Sequence, residues 1–424
     1  MRLVVSRSES ELEGSVCSVP SKSSTHRAFI LASLSHGSSH IINPLEGKDT
    51  QATRKVLSAM GVSFEKEDVG WRVESEGIKA PLKMLDCENS GTTLRIMTGV
   101  SSLLDEKVVL TGDDSLKKRP MSPLLSSLER LKVACGSVNL DGCAPVFVNG
   151  PMIGEETEIR GDISSQFISS LLIACPLKED NTNITLTSPL TSAPYVDMTI
   201  SMMGTFGVSC KREDERFIVP GDQAYSPRSY TVPGDYSAAA FPLAAGALSG
   251  SVTVQGLDPE DIQGDRKIIE ILKNFGADVK VRGWDVTVSK GALKGCMVDM
   301  ASVPDLFPIV ATVATQAEGE TILFNAKHLR YKESDRIATV TEFLQNMGAH
   351  IKEKEDGCVI EGPSRLKGTT VDTYGDHRVM MASAIAATIA DGRTIIEDGN
   401  CHEVSYPSFK EDLLSLGAAV ELWK

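Results

Sequence analysis

Lys22 and Arg27, in "PSKSSTHRAFILASL", and Arg378, in "YGDHRVMM", crowd the opening turns of what read as apolar helices. A helix N-terminus already carries about half a positive charge, so a base in its first turn is disfavoured by about 0.3–1 kcal/mol unless an anion lies between them. The chain carries 57 acids against 43 bases, so these cations do not belong to a generally basic surface. They predict a small, strongly anionic ligand. Other helix openings gather polar side chains and free backbone N–H groups suited to the same task. They are Asn89, Ser90, Gly91, Thr92 and Arg95; then Ser164, Ser165 and Gln166; then Asp235 and Asp305. Taken singly, Asn89, Asp162 and Asp235 read as helix caps.

Two loops add cations. In "LKKRPMSP", Pro120 biases Arg119 toward an extended backbone that projects it from a loop into a helix start, while Lys117 and Lys118 read as solvated. In "LRYKESDRI", Lys332 and Arg336 stand four apart and share a face if the segment is helical. Ordinary surface pairing is the competing reading of that run.

The elements that must hold these residues recur. Each repeat opens on a polar cluster and an apolar helix, passes through a Gly-containing turn and a strand, and closes on a second helix ending in Gly plus a small apolar residue. Six repeats open near Ser21, Asn89, Asp162, Gly234, Pro304 and Asp376, about 70 residues apart. Gly61, Gly207, Gly276, Gly348 and Gly417 fit left-handed helix stops; the second repeat has "LERLKVACGS" in that place. Strands are predicted at "SSHIINP", "KVVLTG", "TNITLTS", "SVTVQG", "TILFNA" and "RTIIED", with others after the second helices. Each repeat is therefore a small α/β module. "SPRSYTVPGDYS" is the natural joint, dividing the chain near Val232, and the strand before Pro20 falls to the other half.

At 424 residues the chain exceeds what one hydrophobic core supports, so more than one domain is expected. Nine cysteines without a C-x-x-C pair form neither a disulfide framework nor a zinc ribbon, and read as reduced thiols. Cys401 with His402, and His36 with His40, lack the further ligands of a metal site, so none is expected. The acidic balance argues against nucleic acid as a partner. The longest apolar stretch, Val379 to Ala390, is too short to span a membrane. "MRLVVSRSESELEG" reads as a first strand instead of a signal peptide, which makes a cytoplasmic protein the expectation.

The motifs "PSKSSTHRA", "ENSGTTLR", "KKRPMSPL", "DISSQF", "TSAPYVDMT", "VPGDYSAAAF", "VPDLFPIVA", "KESDRI" and "YGDHRVMM", in this order over nearly the whole chain, resemble the 5-enolpyruvylshikimate 3-phosphate synthase family. The resemblance implies an α/β fold of two globular domains, each of three βαβαββ units with helices inside and sheets outside. The domains are joined by a two-strand hinge and close on the ligands. It places one domain at residues 21–232 and the other at residues 1–20 plus 233–424. It implies transfer of the carboxyvinyl group of phosphoenolpyruvate to the 5-hydroxyl of shikimate 3-phosphate by a monomer, without metal or organic cofactor, at a site that glyphosate can occupy.

Carried over by motif, Lys22, Arg119, Gln166, Arg336 and Arg378 would contact phosphoenolpyruvate, with Gly91 lining its pocket. Ser23, Arg27, Ser164, Ser165, Gln166, Ser192, Asp305 and Lys332 would hold shikimate 3-phosphate. Asp305 would accept the 5-hydroxyl proton and Glu333 or Lys332 would protonate the methylene; Asp305 also fits a cap after Pro304. His377 would shuttle a proton or simply order Asp376 and Arg378.

Two positions depart from the family pattern. A Lys of the carboxyl-terminal segment aligns with Val404, Lys410 standing too far along to replace it, and an Asn that commonly meets the shikimate phosphate aligns with His328. The rivals are the sister enzyme acting on UDP-N-acetylglucosamine and a noncatalytic anion-binding protein of the same fold. The sister enzyme typically carries a reactive Cys where this chain reads "GDDSLKKRP".

Overall fold

The computed structural model describes residues 1–8 and 10–423. Among them twelve α-helices follow in order: α1 (Lys22–Leu34), α2 (Lys48–Ala59), α3 (Gly91–Ser101), α4 (Ser122–Arg130), α5 (Ser165–Ala174), α6 (Ala193–Thr205), α7 (Tyr236–Ser249), α8 (Ile268–Phe275), α9 (Phe307–Ala314), α10 (Arg336–Asn346), α11 (His377–Ala387) and α12 (Phe409–Ser415). The odd-numbered helices open the repeats and are buried nearly all round. α9 and α11 are buried along their whole length, and α7 along all but Ser249. The even-numbered helices are one-sided: α8 buries only Ile268, Ile271, Leu272 and Phe275, a single 3.6-residue stripe.

The glycines after the even-numbered helices adopt the left-handed backbone. Gly61, Gly207, Gly276, Gly348 and Gly417 have φ between 89° and 97°. In the second repeat the stop falls to Lys132, at φ 67°, a conformation that a Cβ disfavours.

Six four-stranded sheets, counted among the described residues, share one pattern: a parallel pair followed by two antiparallel pairs. In the third repeat Glu156–Ile159 runs parallel to Thr182–Leu186, followed by Arg216–Val219 and Lys211–Glu213. The amino terminus supplies two strands, Arg2–Ser6 and Leu12–Cys17, where the sequence reading expected one. Arg2–Ser6 pairs with Arg393–Ile396 and Ala419–Trp423, and Leu12–Cys17 runs parallel to Gly250–Gln255. Ser229–Thr231, from the predicted joint, runs parallel to Gly37–Ile42.

The chain divides into two compact units, an amino unit of Pro20–Val232 and a carboxy unit of Met1–Val19 with Pro233–Lys424. Each has its own apolar core, built on α1, α3 and α5 in the first and on α7, α9 and α11 in the second. No helix among the described residues is long and apolar enough to cross a membrane.

Candidate active site

In the amino unit the helix openings are tied to one another by side chains. Ser21 caps α1, its Oγ accepting from Ser24 N, and Lys22 at the first helical position reaches Asp49 of α2, Nζ to Oδ2 3.2 Å. Ser23 gives its carbonyl to Arg27 Nη1 at 3.0 Å. The buried Arg27 guanidinium also donates to Thr199 Oγ1 at 2.7 Å and Tyr195 O at 3.1 Å, which joins α1 to α6. Burial lowers the Arg27 pKa to about 10. Ser192, just before α6, is buried and held at φ 55°, where a non-glycine residue is strained.

At α3, Ser90 caps and Gly91 is the first helical residue. A Cβ on Gly91 would come within 3.2 Å of Arg119 Nη1 and 3.7 Å of both Arg95 Nη1 and Gln166 Oε1. These three side chains therefore converge over a position kept bare. Arg119 has the extended backbone expected before Pro120, is buried, and donates through Nη2 to Asn89 Oδ1 at 2.8 Å. Ser164 caps α5, followed by Ser165 and Gln166 in its first turn. Beneath these openings His26 Nδ1 meets Thr53 Oγ1 at 2.6 Å, Thr53 meets Thr93 at 2.6 Å, and Thr93 donates to Ser90 Oγ at 2.7 Å.

Two expectations fail here. Asn89 and Asp162 cap nothing; Ser90 and Ser164, one and two residues nearer the helices, take that role. Asn89 instead bridges Arg119 and Asp113, and Asp162 binds Arg160 and Ser188. Asp235 does cap α7, accepting from Ala238 N.

In the carboxy unit the site residues form an ion-pair network. Arg336 contacts three carboxylates: Asp305 Oδ1 at 2.7 Å, Glu333 Oε2 at 2.8 Å and Asp376 Oδ2 at 2.8 Å. Arg378 Nη2 lies 2.8 Å from Asp305 Oδ2, so Asp305 bridges the two guanidiniums. Asp376 caps α11 through Arg378 N at 3.0 Å, and His377 is buried between them in the chain. Burial opposes the charge on Asp305, yet Arg378, Arg336 and Lys332 hold its carboxyl well below the usual carboxylate range. Burial, then the charge of Asp305, raises Asp265, which accepts from Ser237 Oγ. Burial also works against Arg336, but Asp376, Glu333 and Asp305 outweigh it and hold its pKa well above the usual value.

Lys332 and Arg336 do not share a helical face. Residues Lys327–Tyr331 form a 3-10 turn, Lys332 is extended, and Asp335 caps α10 from a non-helical backbone, so the helix begins only at Arg336. Surface pairing holds for part of the run, where Arg330 meets Asp335 at 2.8 Å and Glu353 at 2.9 Å, but not for Arg336, which is 1% exposed. Asp305 sits inside the 3-10 turn Pro304–Leu306, whose N-cap position is Val303. Of the departing positions, His328 is buried and its Nε2 meets no hydrogen-bond partner. Val404 ends the turn Cys401–Val404, and Lys410 pairs with Glu411 at 3.2 Å.

Sequence reasoning missed the partners that hold the cations. It does not single out Asp49, and it singles out Asn89 and Asp376, but not as partners of Arg119 and Arg336, which lie 30 and 40 positions away.

The family model described as EPSP synthase (3-phosphoshikimate 1-carboxyvinyltransferase) matches residues 6–413. A 3-phosphoshikimate 1-carboxyvinyltransferase of Methanocorpusculum labreanum is 50% identical over 421 residues, covering 99% of each chain. One of Methanocaldococcus jannaschii is 44% identical over 429 residues, covering 100% of each. The solved structure of an EPSP synthase from Acinetobacter baumannii is similar with a TM-score of 0.83 at 28% identity over 100% of each chain. With this extent of agreement in sequence and fold, the chain belongs to the EPSP synthase (3-phosphoshikimate 1-carboxyvinyltransferase) family.

Proposed function

We propose that this protein is a transferase of the shikimate pathway, serving chorismate and aromatic amino acid biosynthesis. It moves the carboxyvinyl group of phosphoenolpyruvate to the 5-hydroxyl of shikimate 3-phosphate. The observation that carries this reading beyond family membership is Asp305, a part-buried carboxylate bridging Arg336 and Arg378. In the proposed reaction O5 bonds to the enol carbon while its proton passes to Asp305, and the methylene takes a proton from Glu333 or Lys332. The tetrahedral intermediate then returns a methyl proton to the group that supplied one and breaks its C–O bond to phosphate, which leaves with the proton taken from O5.

Asp305 as found is a poor base, because its neighbouring cations stabilise the ionised form. Phosphoenolpyruvate supplies a carboxylate and a phosphate that compete for Arg336 and Arg378. As those guanidiniums turn to the ligand with bidentate hydrogen bonds, the Asp305 pKa rises toward a useful range. Lys22, Gly91, Arg119 and Gln166 complete the phosphoenolpyruvate contacts. Ser23, Arg27, Ser164, Ser165, Gln166, Ser192, Asp305 and Lys332 hold shikimate 3-phosphate, and His377 orders Asp376 and Arg378. The reading includes a cytoplasmic monomer with no metal or organic cofactor, whose phosphoenolpyruvate site admits glyphosate.

Phosphate release from phosphoenolpyruvate, with shikimate 3-phosphate and UDP-N-acetylglucosamine offered separately, tests the proposal. Release is expected only with the first. Release only with the second selects the sister activity, and release with neither leaves a noncatalytic anion-binding protein.

A further inference from the structure

We infer that Arg95, to which the proposed mechanism assigns no part, is a positioning residue that fixes the orientation of the Gln166 side-chain amide. The inference rests on the proposed reading of Gln166 as a substrate contact. α3 and α5 approach closely at Gly99, where an added Cβ would fall 2.3 Å from Ser170 Oγ. Ser170 Oγ donates to Arg95 O at 2.6 Å and accepts from Gly99 N at 3.1 Å, which pins the two helices together along this seam. The Arg95 side chain then lies along the start of α5. Its guanidinium carbon is 5.1 Å from the centre of the Phe167 ring, and its Nη1 donates to Gln166 Oε1 at 2.7 Å and Ser164 Oγ at 3.3 Å.

An amide has an accepting end and a donating end, whereas a guanidinium only donates. Arg95 therefore holds the oxygen of Gln166 and leaves the nitrogen on the other side, where Nε2 donates to Thr92 Oγ1 at 2.8 Å. The second hydrogen on Nε2 remains for an oxygen of the ligand. A flipped amide would set N–H groups against a buried cation and present a carbonyl oxygen to an anion, unfavourable on both counts. The amide stands where this matters, its Oε1 only 3.7 Å from where a Gly91 Cβ would lie and Arg119 Nη1 only 3.2 Å from the same point. Arg95 thus makes Gln166 a hydrogen-bond donor.

A double-mutant cycle tests this, using wild type, Arg95→Leu, Gln166→Ala and the double variant. It is read by calorimetric titration with shikimate 3-phosphate and by kcat and KM for phosphoenolpyruvate. Arg95→Leu should weaken shikimate 3-phosphate about tenfold alone and less than about twofold in the Gln166→Ala background, with KM rising by a larger factor than kcat falls. Arg95→Lys, which keeps a donor-only group, should recover part of the loss. Equal losses in both backgrounds, or wild-type binding by Arg95→Leu, overturn the inference and leave the proposed function standing. A wild-type protein that does not bind shikimate 3-phosphate overturns both. If Arg95→Leu does not fold, Arg95→Lys carries the cycle: a loss confined to the Gln166-containing background supports the inference, and equal losses overturn it.

Discussion

In the carboxy unit Arg336 and Arg378 are met by carboxylates, while in the amino unit the hydrogen bonds described for Arg27, Arg95 and Arg119 end on hydroxyls, amides and carbonyls. Both sets are buried, so the contrast lies in the partners. A buried cation resting on neutral oxygens keeps its net charge and is destabilised by lost hydration, as the lowered Arg27 pKa shows. An arriving anion relieves that. A cation already surrounded by carboxylates is satisfied, and an anion must displace them. On the proposed reading Arg27 of the amino unit is thus prepared to bind, whereas Arg336 and Arg378 of the carboxy unit, like Lys22 beside Asp49 in the amino unit, must exchange a carboxylate for the ligand.

The largest expected effect that tests this contrast is on stability. Asp376→Ala removes the fully buried one of the three carboxylates on Arg336 and should lower unfolding free energy by about 3–5 kcal/mol in urea titration. Thr199→Val, which removes a neutral partner of Arg27, should lower it by about 1–3 kcal/mol. Equal losses would erase the distinction between the units. Next in size, Arg119→Ala should weaken phosphoenolpyruvate by about 1.5–3 kcal/mol while shikimate 3-phosphate changes much less, as measured by calorimetry.

Acid should act on both units through buried histidines. Burial, then Lys22 and Arg27, pushes His26 well below its usual range, and burial, then Lys332, lowers His328 to about 3. Both are neutral in the folded chain and protonate near pH 6.5 when unfolded. Stability is therefore full above about pH 6.5 and falls as the pH drops toward the folded-state values, by about 1.4 kcal/mol per pH unit for each histidine. His26→Asn should remove one such contribution to the slope between pH 6 and pH 5; an unchanged slope would show that His26 does not make it. The smallest effect concerns the irregular second repeat. Lys132→Gly relieves a left-handed backbone and should raise stability by about 1 kcal/mol, whereas Gly276→Ala at the corresponding stop should lower it.

Much of this was legible in the sequence because the repeats announce themselves. Apolar helices, β-branched strands and glycine stops follow from local rules, and even the irregular second repeat marked the place where Lys132 replaces a glycine. Arg119 was also legible, since Pro120 dictates its backbone. The condition for Lys332 and Arg336 to share a face, a helix through both, is not met because a cap at Asp335 delays the helix, and competition between caps and helical continuation is settled by tertiary partners. Two of the three ion pairs of Arg336 join residues 31 and 40 positions apart, through contacts that no local pattern records.

The central claim is that Asp305 becomes the base once ligands draw its arginines away. Asp305→Asn keeps the shape and hydrogen-bonding capacity of the side chain but not its basicity. Phosphate released from phosphoenolpyruvate in the presence of saturating shikimate 3-phosphate should fall by about 10²–10⁴-fold in kcat, with shikimate 3-phosphate still bound. Release by Asp305→Asn at the wild-type rate would contradict the account.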